Sequence, residues 1–267
     1  MEVTTRAAVS AILASRVEAS LSLGRTPLGA VHAGAEICWA ISGIPIASFN
    51  AVMRLRIGPD PDGQIDAIQE IFAERSMPFV WWVRQEDSED GLDTKLRSHG
   101  LDYYGEESIG MAIALESQPE TRVGKPISVE RIVERSYVRL WFATLLESFG
   151  ATADEQTAEL ATTVFTYLAT NLLSGWHLYL ASLNDRPVGT CALHLGSTAG
   201  LYSVGTVPIA RRQGVGTVLT RRALADARSA GHSVASLTAS GLGERLYRAH
   251  GFEEYCRLRE FVWRPSS

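Results

Sequence analysis

The chain has little cysteine and no strong charge of either sign. Its 267 residues include three cysteines, Cys38, Cys191 and Cys256, which are widely scattered and lack C-x-x-C spacing. This spacing argues against a disulfide framework, and with six equally dispersed histidines we expect no metal site. The net charge of −5 argues against nucleic acid or an anionic membrane as the main partner, because phosphates are bound by basic surfaces.

Long uninterrupted apolar runs are also missing. The N-terminus reads MEVTTRAAVSAILASRVEASLSLGR, and Arg16 and Glu18 break what would have been the core of a signal peptide. The segment predicts an amphipathic helix that Gly24 and Pro27 stop, and no run approaches a membrane span. We therefore expect a cytoplasmic protein, and its 46% of hydrophobic residues is enough to bury a sizeable core.

Two similar segments indicate an internal repeat. LRSHGLDYY and LYRAHGFEEY share an R-x-H-G-apolar core, and their glycines, Gly100 and Gly251, lie 151 residues apart. That offset is the size of an ordinary domain. A common helix stop is the alternative explanation, because glycine tolerates the left-handed conformation in which many helices end.

The pattern of elements also divides the chain in two. ESQPETRVGKP (residues 116–126) is polar, with two prolines and a glycine, and predicts a boundary. We predict an N-terminal helix in residues 1–25, one domain in residues 26–120 and a second in residues 121–267. In both domains the residue pattern indicates alternating strands and helices, which predicts an α/β (α+β) fold. Within the second, Thr152 and Glu155 predict a capping box at the start of a helix.

The segment YSVGTVPIARRQGVGTVLTRRAL (residues 202–224) predicts an anion site, because a strand runs into a glycine-containing turn that opens a long helix. The first amides of a helix have no internal partners, and the helix dipole places partial positive charge there. Gly214 and Gly216 remove Cβ atoms that would keep a phosphate away, and Arg211 and Arg212 add charge. A tight turn with solvated arginines is the alternative.

This segment resembles the acyl-CoA signature of the GNAT acetyltransferase superfamily, as V-P-x-x-R-R-x-G-x-G-x-x-L. In that superfamily an R-x-x-G-x-G turn holds the coenzyme A pyrophosphate. The resemblance implies these coenzyme-binding residues: Thr206, Val207, Arg211, Arg212, Gln213, Gly214, Val215, Gly216 and Thr217. It also implies that the preceding strand splays from the next one. The amide of Val207 or a neighbour would then face the thioester carbonyl.

A second match to the superfamily lies in LTASGLGERLYRAHGF (residues 237–252). In the family, the short helix after the fifth strand often carries a tyrosine a few residues before a G-F pair. Tyr247 stands in that place, ahead of Gly251 and Phe252. The resemblance implies that its phenol donates a proton to the departing coenzyme thiolate. Packing within an amphipathic helix is the alternative for a lone tyrosine.

The first half lacks both features. The 151-residue offset places Leu96 where the second half has its tyrosine, and the corresponding helix begins with PDPDGQIDAIQE. Asp60, Asp62 and Asp66 there would repel a pyrophosphate. This half resembles the degenerate half of tandem GNAT proteins. We therefore expect two tandem GNAT-like units, each a mixed, largely antiparallel sheet flanked by helices.

The sequence leaves the general base and the acceptor pocket open. Many relatives place a glutamate on the fourth strand, but AGLYSVGTV has no carboxylate. His177, His194 and Glu147 are alternatives for a base, and each is more readily explained as a structural side chain. The aromatic residues Trp141, Phe142 and Trp176 would either shape the acceptor pocket or pack in the core. Of the adjacent Trp81 and Trp82 on one strand, one must face away from the other.

The prediction for function is an N-acetyltransferase that moves an acetyl group from acetyl-CoA to an amine by direct transfer. Acetyl-CoA would be the cosubstrate, no metal would take part, and the acceptor would be a small-molecule or protein amine. A monomer and a homodimer both remain open. The alternatives are a non-catalytic acyl-CoA-binding or sensing protein, and a generic anion-binding α/β protein.

Overall fold

The structure is a computed structural model that describes residues 4–34, 36–54, 60–84, 91–115 and 127–265. These residues contain seven α-helices and twelve β-strands. The helices are α1 (Thr5–Gly24), α2 (Pro61–Ala73), α3 (Leu92–Ser98), α4 (Arg135–Ser148), α5 (Glu155–Thr170), α6 (Val215–Ser229) and α7 (Gly241–Arg248). The strands are β1 (Ala30–Ala33), β2 (Ile37–Ile41), β3 (Ala51–Arg54), β4 (Phe79–Arg84), β5 (Asp102–Tyr103), β6 (Ser108–Ala114), β7 (Ile127–Ile132), β8 (Trp176–Leu183), β9 (Arg186–Leu195), β10 (Ala199–Thr206), β11 (Val234–Ala239) and β12 (Glu253–Trp263).

These strands form one sheet in which two units are joined side by side. The order is β1-β2-β3-β4-β12-β6-β11-β10-β9-β8-β7, and β5 pairs with β12 outside this path. Most neighbours are antiparallel, but β3 runs parallel to β4 in the first unit, and β10 runs parallel to β11 in the second. Each unit is thus mixed and largely antiparallel, which confirms the predicted fold class.

The two units exchange their final strands. β6, which ends the first unit, pairs with β11 of the second, and β12, which ends the chain, pairs with β4 of the first. β6 and β12 also pair with each other. The part of the sheet that belongs to each unit is therefore completed by a strand of the other unit. The predicted boundary in residues 116–126 lies outside the described residues, so the domain limits stay predictions.

The two R-x-H-G segments form the same helix ending. Gly100 and Gly251 have φ angles of +78° and +89°, in the left-handed region that favours glycine. In both units the residue after the glycine donates its amide to the carbonyl five residues earlier, at 3.0 Å. This bond is the longer one of a Schellman-type helix end. The repeat is therefore present in the backbone hydrogen bonds as well as in the letters.

Helix α1 packs across the junction of the two units. Ala8 and Ile12 contact a cluster with Ala112 of β6 and Cys256 of β12. Ala19 packs farther along in the core under α4 and α5. By length and composition alone α1 could cross a membrane, a test that the core helix of a soluble protein passes as well. Its contacts with the sheet are those of a core helix.

Helix α5 starts differently from the prediction. It begins at Glu155, and its N-cap is Asp154, whose carboxylate accepts the amide of Thr157 at 2.7 Å. The predicted capping box from Thr152 to Glu155 is therefore wrong. An aspartate two residues further on offers a better acceptor for the same orphan amides, because Asp and Ser are both preferred over Thr at this position.

Candidate active site

Strands β10 and β11 are paired only near their beginnings. Their parallel register runs from Ala199↔Ala235 to Leu201↔Leu237. Beyond these pairs β10 continues to Thr206 on its own path, while β11 stays paired with β6. The gap between the two arms, called here the β10–β11 split, opens toward the glycine turn. The splay predicted from the resemblance is therefore confirmed.

A bulge turns β10 away from β11. The register of β10 with β9 shifts between Tyr202 and Gly205, and Ser203 has a φ of +50°. The carbonyl of Ser203 accepts the hydroxyl of Thr190 at 2.8 Å, which satisfies the group that the bulge displaces. A Cβ on Gly205 would lie 2.7 Å from the Cβ of Ser148, so this arm of the split lies directly against the end of α4.

The amide of Thr206, rather than that of Val207, faces the split. The N–H of Val207 donates to the carbonyl of Val188 on β9 at 3.0 Å, and its side chain is buried. Because backbone groups alternate in direction along a strand, Thr206 presents its N–H and C=O to the other side. Arg211 Nε donates to that carbonyl at 3.4 Å. The sequence left open whether the amide of Val207 or of a neighbour faces the thioester carbonyl. The structure favours the neighbour Thr206, because the amide of Val207 is already bonded to β9.

Helix α6 begins without a side-chain cap. Its N-cap is Gly214, with a φ of +91°, and the first amide bonded within the helix is that of Val218, to the Gly214 carbonyl at 3.1 Å. Among the described residues, none accepts the amides of Val215, Gly216 or Thr217. Three N–H groups therefore point out of the helix at the positive end of its dipole, an arrangement that suits an anion.

The two arginines of the turn have different surroundings. Arg211 Nη2 donates to the carbonyl of Ser148 at 3.0 Å, which ties the turn to the end of α4. Arg212 is exposed, has a φ of +59°, and makes no hydrogen bond or ion pair with a described residue. Gln213 Nε2 donates to the carbonyl of Ile209 at 2.9 Å. Arg211 is thus held in place, whereas Arg212 can turn toward a ligand.

Tyr247 projects from α7 into the interior beside the glycine turn. Its side chain is 7% exposed and shares a core cluster with Val207 and Val215. Its ring meets that of Phe252 edge-on, with centroids 5.7 Å apart. Burial raises the pKa of the phenol above its ordinary value, so the hydroxyl stays protonated at neutral pH. A neutral hydroxyl in this place can donate a hydrogen bond or a proton.

Helices α6 and α7 meet at the start of α6, which brings the candidate residues together. A Cβ on Gly216 would lie 2.9 Å from Cδ2 of Leu246, the residue before Tyr247. His250 Nε2 lies 3.4 Å from the carbonyl of Thr217. Burial, and secondly the charge of Arg221, lower the pKa of His250 and favour its neutral form. The glycine turn and the tyrosine therefore lie next to each other.

The two candidate histidines lie away from this site. His194 is opposite Gly200, near the start of β10, whereas the split lies beyond residue 201. Burial lowers the pKa of His194 to about 4, so it is a neutral core residue. His177 Nδ1 lies 3.3 Å from the hydroxyl of Tyr179, which donates to Asp226 of α6 at 2.7 Å. Neither histidine faces the split.

Glu147 is the candidate base nearest to the split. It precedes Ser148, whose carbonyl binds Arg211, and it lines an open cavity of about 570 Å³ between α4 and α5. Phe142 lines the same cavity from a buried position. Trp141 and Trp176 are 0% and 4% exposed and belong to the core on this face. β10 itself carries no carboxylate, as its sequence requires.

The first unit closes the corresponding positions with its own side chains. The carboxylate of Asp60 accepts the amide of Gly63 at 3.0 Å and so caps α2. Asp62, in the first turn, forms an ion pair with Lys95. Leu96, which replaces the tyrosine, is fully buried. An anion at this helix start would meet a carboxylate where α6 offers free amides.

Residues 174–254 match the family model described as an acetyltransferase (GNAT) domain. The match contains β8 to β11, the glycine turn, α6 and α7. It begins after α4 and α5 and ends at the start of β12. No curated protein sequence matches the chain.

Several solved structures have the same fold. A GCN5-related N-acetyltransferase from Kribbella flavida is 19% identical, with a TM-score of 0.64, over 100% of this chain and 97% of that one. One from Sphaerobacter thermophilus is 18% identical, with a TM-score of 0.60, over 88% of this chain and 82% of that one. A tandem GNAT protein from the clavulanic acid biosynthesis pathway is 15% identical, with a TM-score of 0.53, over 96% and 93%. The resemblance to tandem GNAT proteins is confirmed; at these identities the solved structures show the fold alone.

Proposed function

We propose that this chain, in which residues 174–254 are a GNAT acetyltransferase domain, moves an acetyl group from acetyl-CoA to an amine by direct transfer. The fold is one that transfers acyl groups from acyl-CoA to an acceptor. The observation that supports the proposal most is the uncapped start of α6, which lies beside Leu246 and Tyr247 of α7 and follows the arm of β10 that carries Thr206. We place the reaction in the cytoplasm, because α1 packs against the sheet and in the core under α4 and α5.

The start of α6 would hold the coenzyme pyrophosphate. The amides of residues 215–217 supply three donors, and Gly214 and Gly216 keep the approach open. Arg212 adds a mobile charge, while Arg211 holds the turn against α4 and keeps its remaining donors near the same mouth. Backbone amides and arginine together bind phosphate oxygens strongly, because the hydrogen bonds are charge-assisted.

The arm of β10 beyond the bulge would orient the thioester. The amide of Thr206 faces the split, so it can donate to the thioester oxygen, where negative charge develops as the amine attacks. Gln213, Val207 and Thr217 complete the wall around that arm, Val207 through its buried side chain. Their task is positioning, because a preorganised donor is effective only if its geometry is held.

Tyr247 would act as the general acid. The neutral amine attacks the acetyl carbon, a C–N bond forms and the C–S bond breaks. The leaving thiolate takes the phenol proton of Tyr247, and the new amide loses its extra proton to the surrounding water. The amine must be deprotonated before it attacks. Burial keeps the phenol protonated until the thiolate develops. Water then returns a proton to the phenolate, so the proton lost by the amide balances the one that the thiol takes.

One observation favours a non-catalytic acyl-CoA-binding or sensing protein as a second candidate. β10 lacks the carboxylate that many relatives use as a base, and neither candidate histidine reaches the split. A binding protein would need the α6 start but no acid. Release of free thiol from acetyl-CoA in the presence of amines separates the two candidates, since a sensor would bind the coenzyme and leave the thioester intact.

Calorimetric titration of the purified protein with acetyl-CoA tests the proposal. We expect one site in the native protein and at least 100-fold weaker binding in Gly216→Asp, because a carboxylate would stand among the three free amides. Gly216→Ala is the matched control: it adds the Cβ that approaches Leu246, without the charge. Absence of binding by the native protein would refute the coenzyme site, and equal binding of inorganic phosphate would favour a generic anion site.

A further inference from the structure

Helix α1 of the first unit reaches the base of the β10–β11 split in the second. Tyr202 and Thr238 are the first residues of the two arms beyond the last paired residues. The hydroxyl of Ser15 lies 2.7 Å from that of Tyr202, and Arg16 donates to the hydroxyl of Thr238. Two successive residues of one helix therefore touch both arms of the split, on the face of the sheet away from α6.

The guanidinium of Arg16 has few hydrogen-bond partners among the described residues. It lies over the ring of Trp82, with its central carbon 3.6 Å from the ring centroid, and its Nε is buried without a hydrogen-bond partner. Among the described residues it forms no ion pair, and its hydrogen bond is the one to Thr238. A guanidinium has five N–H donors, and a buried charge is normally paired. Arg16 therefore has N–H donors available for a hydrogen-bond acceptor on a ligand.

The nearest carboxylate whose charge acts on Arg16 does not pair with it. Glu260 of β12 lies in the same interior region, but its Oε1 accepts the hydroxyl of Ser108 at 2.5 Å. Burial raises the pKa of Glu260, while the hydrogen bond from Ser108 and the charge of Arg16 act in the opposite direction. Burial also lowers the pKa of Arg16. An anion from outside the chain would supply the direct ion pair that Arg16 does not form with a described residue.

Arg16 lines a cavity of about 170 Å³ between α1 and the sheet. The other lining residues are mostly apolar: Leu13, Val17, Met53, Trp82, Arg84 and Leu258. One water occupies about 30 Å³ in the liquid, so the cavity has room for a ligand of amino-acid size. A ligand with an apolar body and an anionic group would match this lining.

The cavity lies at a position in the first unit that corresponds to the split in the second. Met53 and Trp82 are the last paired residues of β3 and β4, the parallel pair that corresponds to β10 and β11. The cavity therefore occupies the place in the first unit where the second has its split. Strand exchange sets the two places side by side, with only β12 and β6 between β4 and β11.

We propose that this cavity holds the acceptor, and that the acceptor is a small apolar amine carrying a carboxylate, which Arg16 binds. The proposal rests on the acetyl transfer proposed above. A carboxylate matches the planar fork of the guanidinium, and the apolar body packs on Trp82 and Leu258. Because Arg16 also binds Thr238, the first residue of the β11 arm, an amine held beside Arg16 would lie near the base of the split. The degenerate unit thus serves as the acceptor-binding part of the enzyme.

Matched acceptor pairs test the class of substrate. Thiol release from acetyl-CoA is measured with leucine against isoamylamine, and with phenylalanine against phenethylamine, so that each pair differs only in the carboxylate. We expect a kcat/KM about 10- to 100-fold higher for the amino acid of the better pair, the range for a hydrogen bond to a charged group. Equal values within both pairs, or a preference for the plain amines, would overturn the proposal.

Variants of α1 test the residue. Arg16→Gln should raise the KM for the amino acid about 10- to 100-fold, remove the preference within the pair, and leave the Kd for acetyl-CoA unchanged. Arg6→Gln is the control, because Arg6 is an exposed residue of the same helix. If Arg16→Gln damaged the fold as a whole, the variant would also bind acetyl-CoA more weakly. An unaltered preference in that variant would show that the arginine does not read the carboxylate.

Failure of the acetyl transfer can be told apart from failure of this site. If the native protein releases no thiol with any amine, leucine and phenylalanine are titrated by calorimetry in the absence of acetyl-CoA. Binding that Arg16→Gln loses and Arg6→Gln keeps would support the site even then. No binding by the native protein, with or without coenzyme A present, would overturn it.

Discussion

The two units of this chain begin their matching helices in opposite ways. In α2 the carboxylate of Asp60 accepts the amide of Gly63, so the helix start carries its own anion. In α6 the N-cap is Gly214, which has no side chain, and the first amides remain open. The surrounding strands and the helix endings are alike. The cap, and not the fold, therefore decides whether the first amides of such a helix are open to an anion, because a helix start can satisfy its amides from within or from outside.

The repeated histidines show the same contrast in another place. Each follows the short helix of its unit and contacts the first turns of the preceding long helix. His99 Nε2 lies 3.4 Å from a carboxylate oxygen of Asp66, whereas His250 Nε2 lies 3.4 Å from the backbone carbonyl of Thr217. Both histidines thus contact the long helix of their unit, but the partner of His99 is a carboxylate and that of His250 is an uncharged carbonyl. A neutral partner in the second unit keeps a carboxylate away from the proposed pyrophosphate site.

The largest test of this contrast concerns the tyrosine that one unit has and the other lacks. Tyr247→Phe should lower kcat by about 10²- to 10⁴-fold, the usual contribution of a general acid, and change the Kd for acetyl-CoA less than twofold. Thiol release and calorimetry measure the two quantities. Tyr104→Phe is the control, since Tyr104 is exposed and follows the first R-x-H-G segment. Parallel losses in kcat and binding would mean that Tyr247 is structural.

A smaller effect is expected from the glycines that start helices in the left-handed conformation. Gly214 before α6 and Gly91 before α3 have φ angles of +91° and +76°. Alanine at either position should cost about 1–2 kcal/mol of stability, measured by urea unfolding. Gly214→Ala should also weaken acetyl-CoA binding about tenfold, because it displaces the open amides. If Gly91→Ala weakened binding equally, the effect would be a global one, and the contrast between the units would fail.

The smallest effect should come from removing the cap of the first unit. Asp60→Ala leaves the amide of Gly63 unsatisfied and should cost about 1 kcal/mol of stability. Coenzyme binding should stay at one molecule per chain, because Asp62 and Asp66 still repel an anion at that helix start. Calorimetric stoichiometry checks this. A second bound coenzyme would show that the cap alone separates the two units.

Local features of the site were predictable from the sequence. Gly214, Gly100 and Gly251 each occupy a left-handed position, and a glycine after or before an apolar helix signals such a turn without reference to distant residues. The splay of β10 followed from the resemblance. The start of α5 was missed by two residues because Thr152 and Asp154 are both residue types that cap helices, and only the geometry of the amides chooses between them.

Features that depend on distant contacts were not predictable. The bulge at Ser203 helps set which amides of β10 face the split, and no local pattern distinguishes Thr206 from Val207. In the sequence Arg16 is a charge that interrupts an apolar helix; only packing against Trp82 and Thr238 shows that it is held inside. The exchange of β6 and β12 joins strands more than a hundred residues apart, and pairing of that range leaves no periodic signature.

The exchanged strands also bear on why a unit without coenzyme-binding residues persists. Without β6, strand β11 would become an open edge along the very split in which we propose that transfer occurs. A truncation at the predicted boundary would therefore remove a strand that pairs within the sheet of the second unit. The first unit can therefore lack coenzyme-binding residues and still be required, because its strand β6 covers the edge of β11.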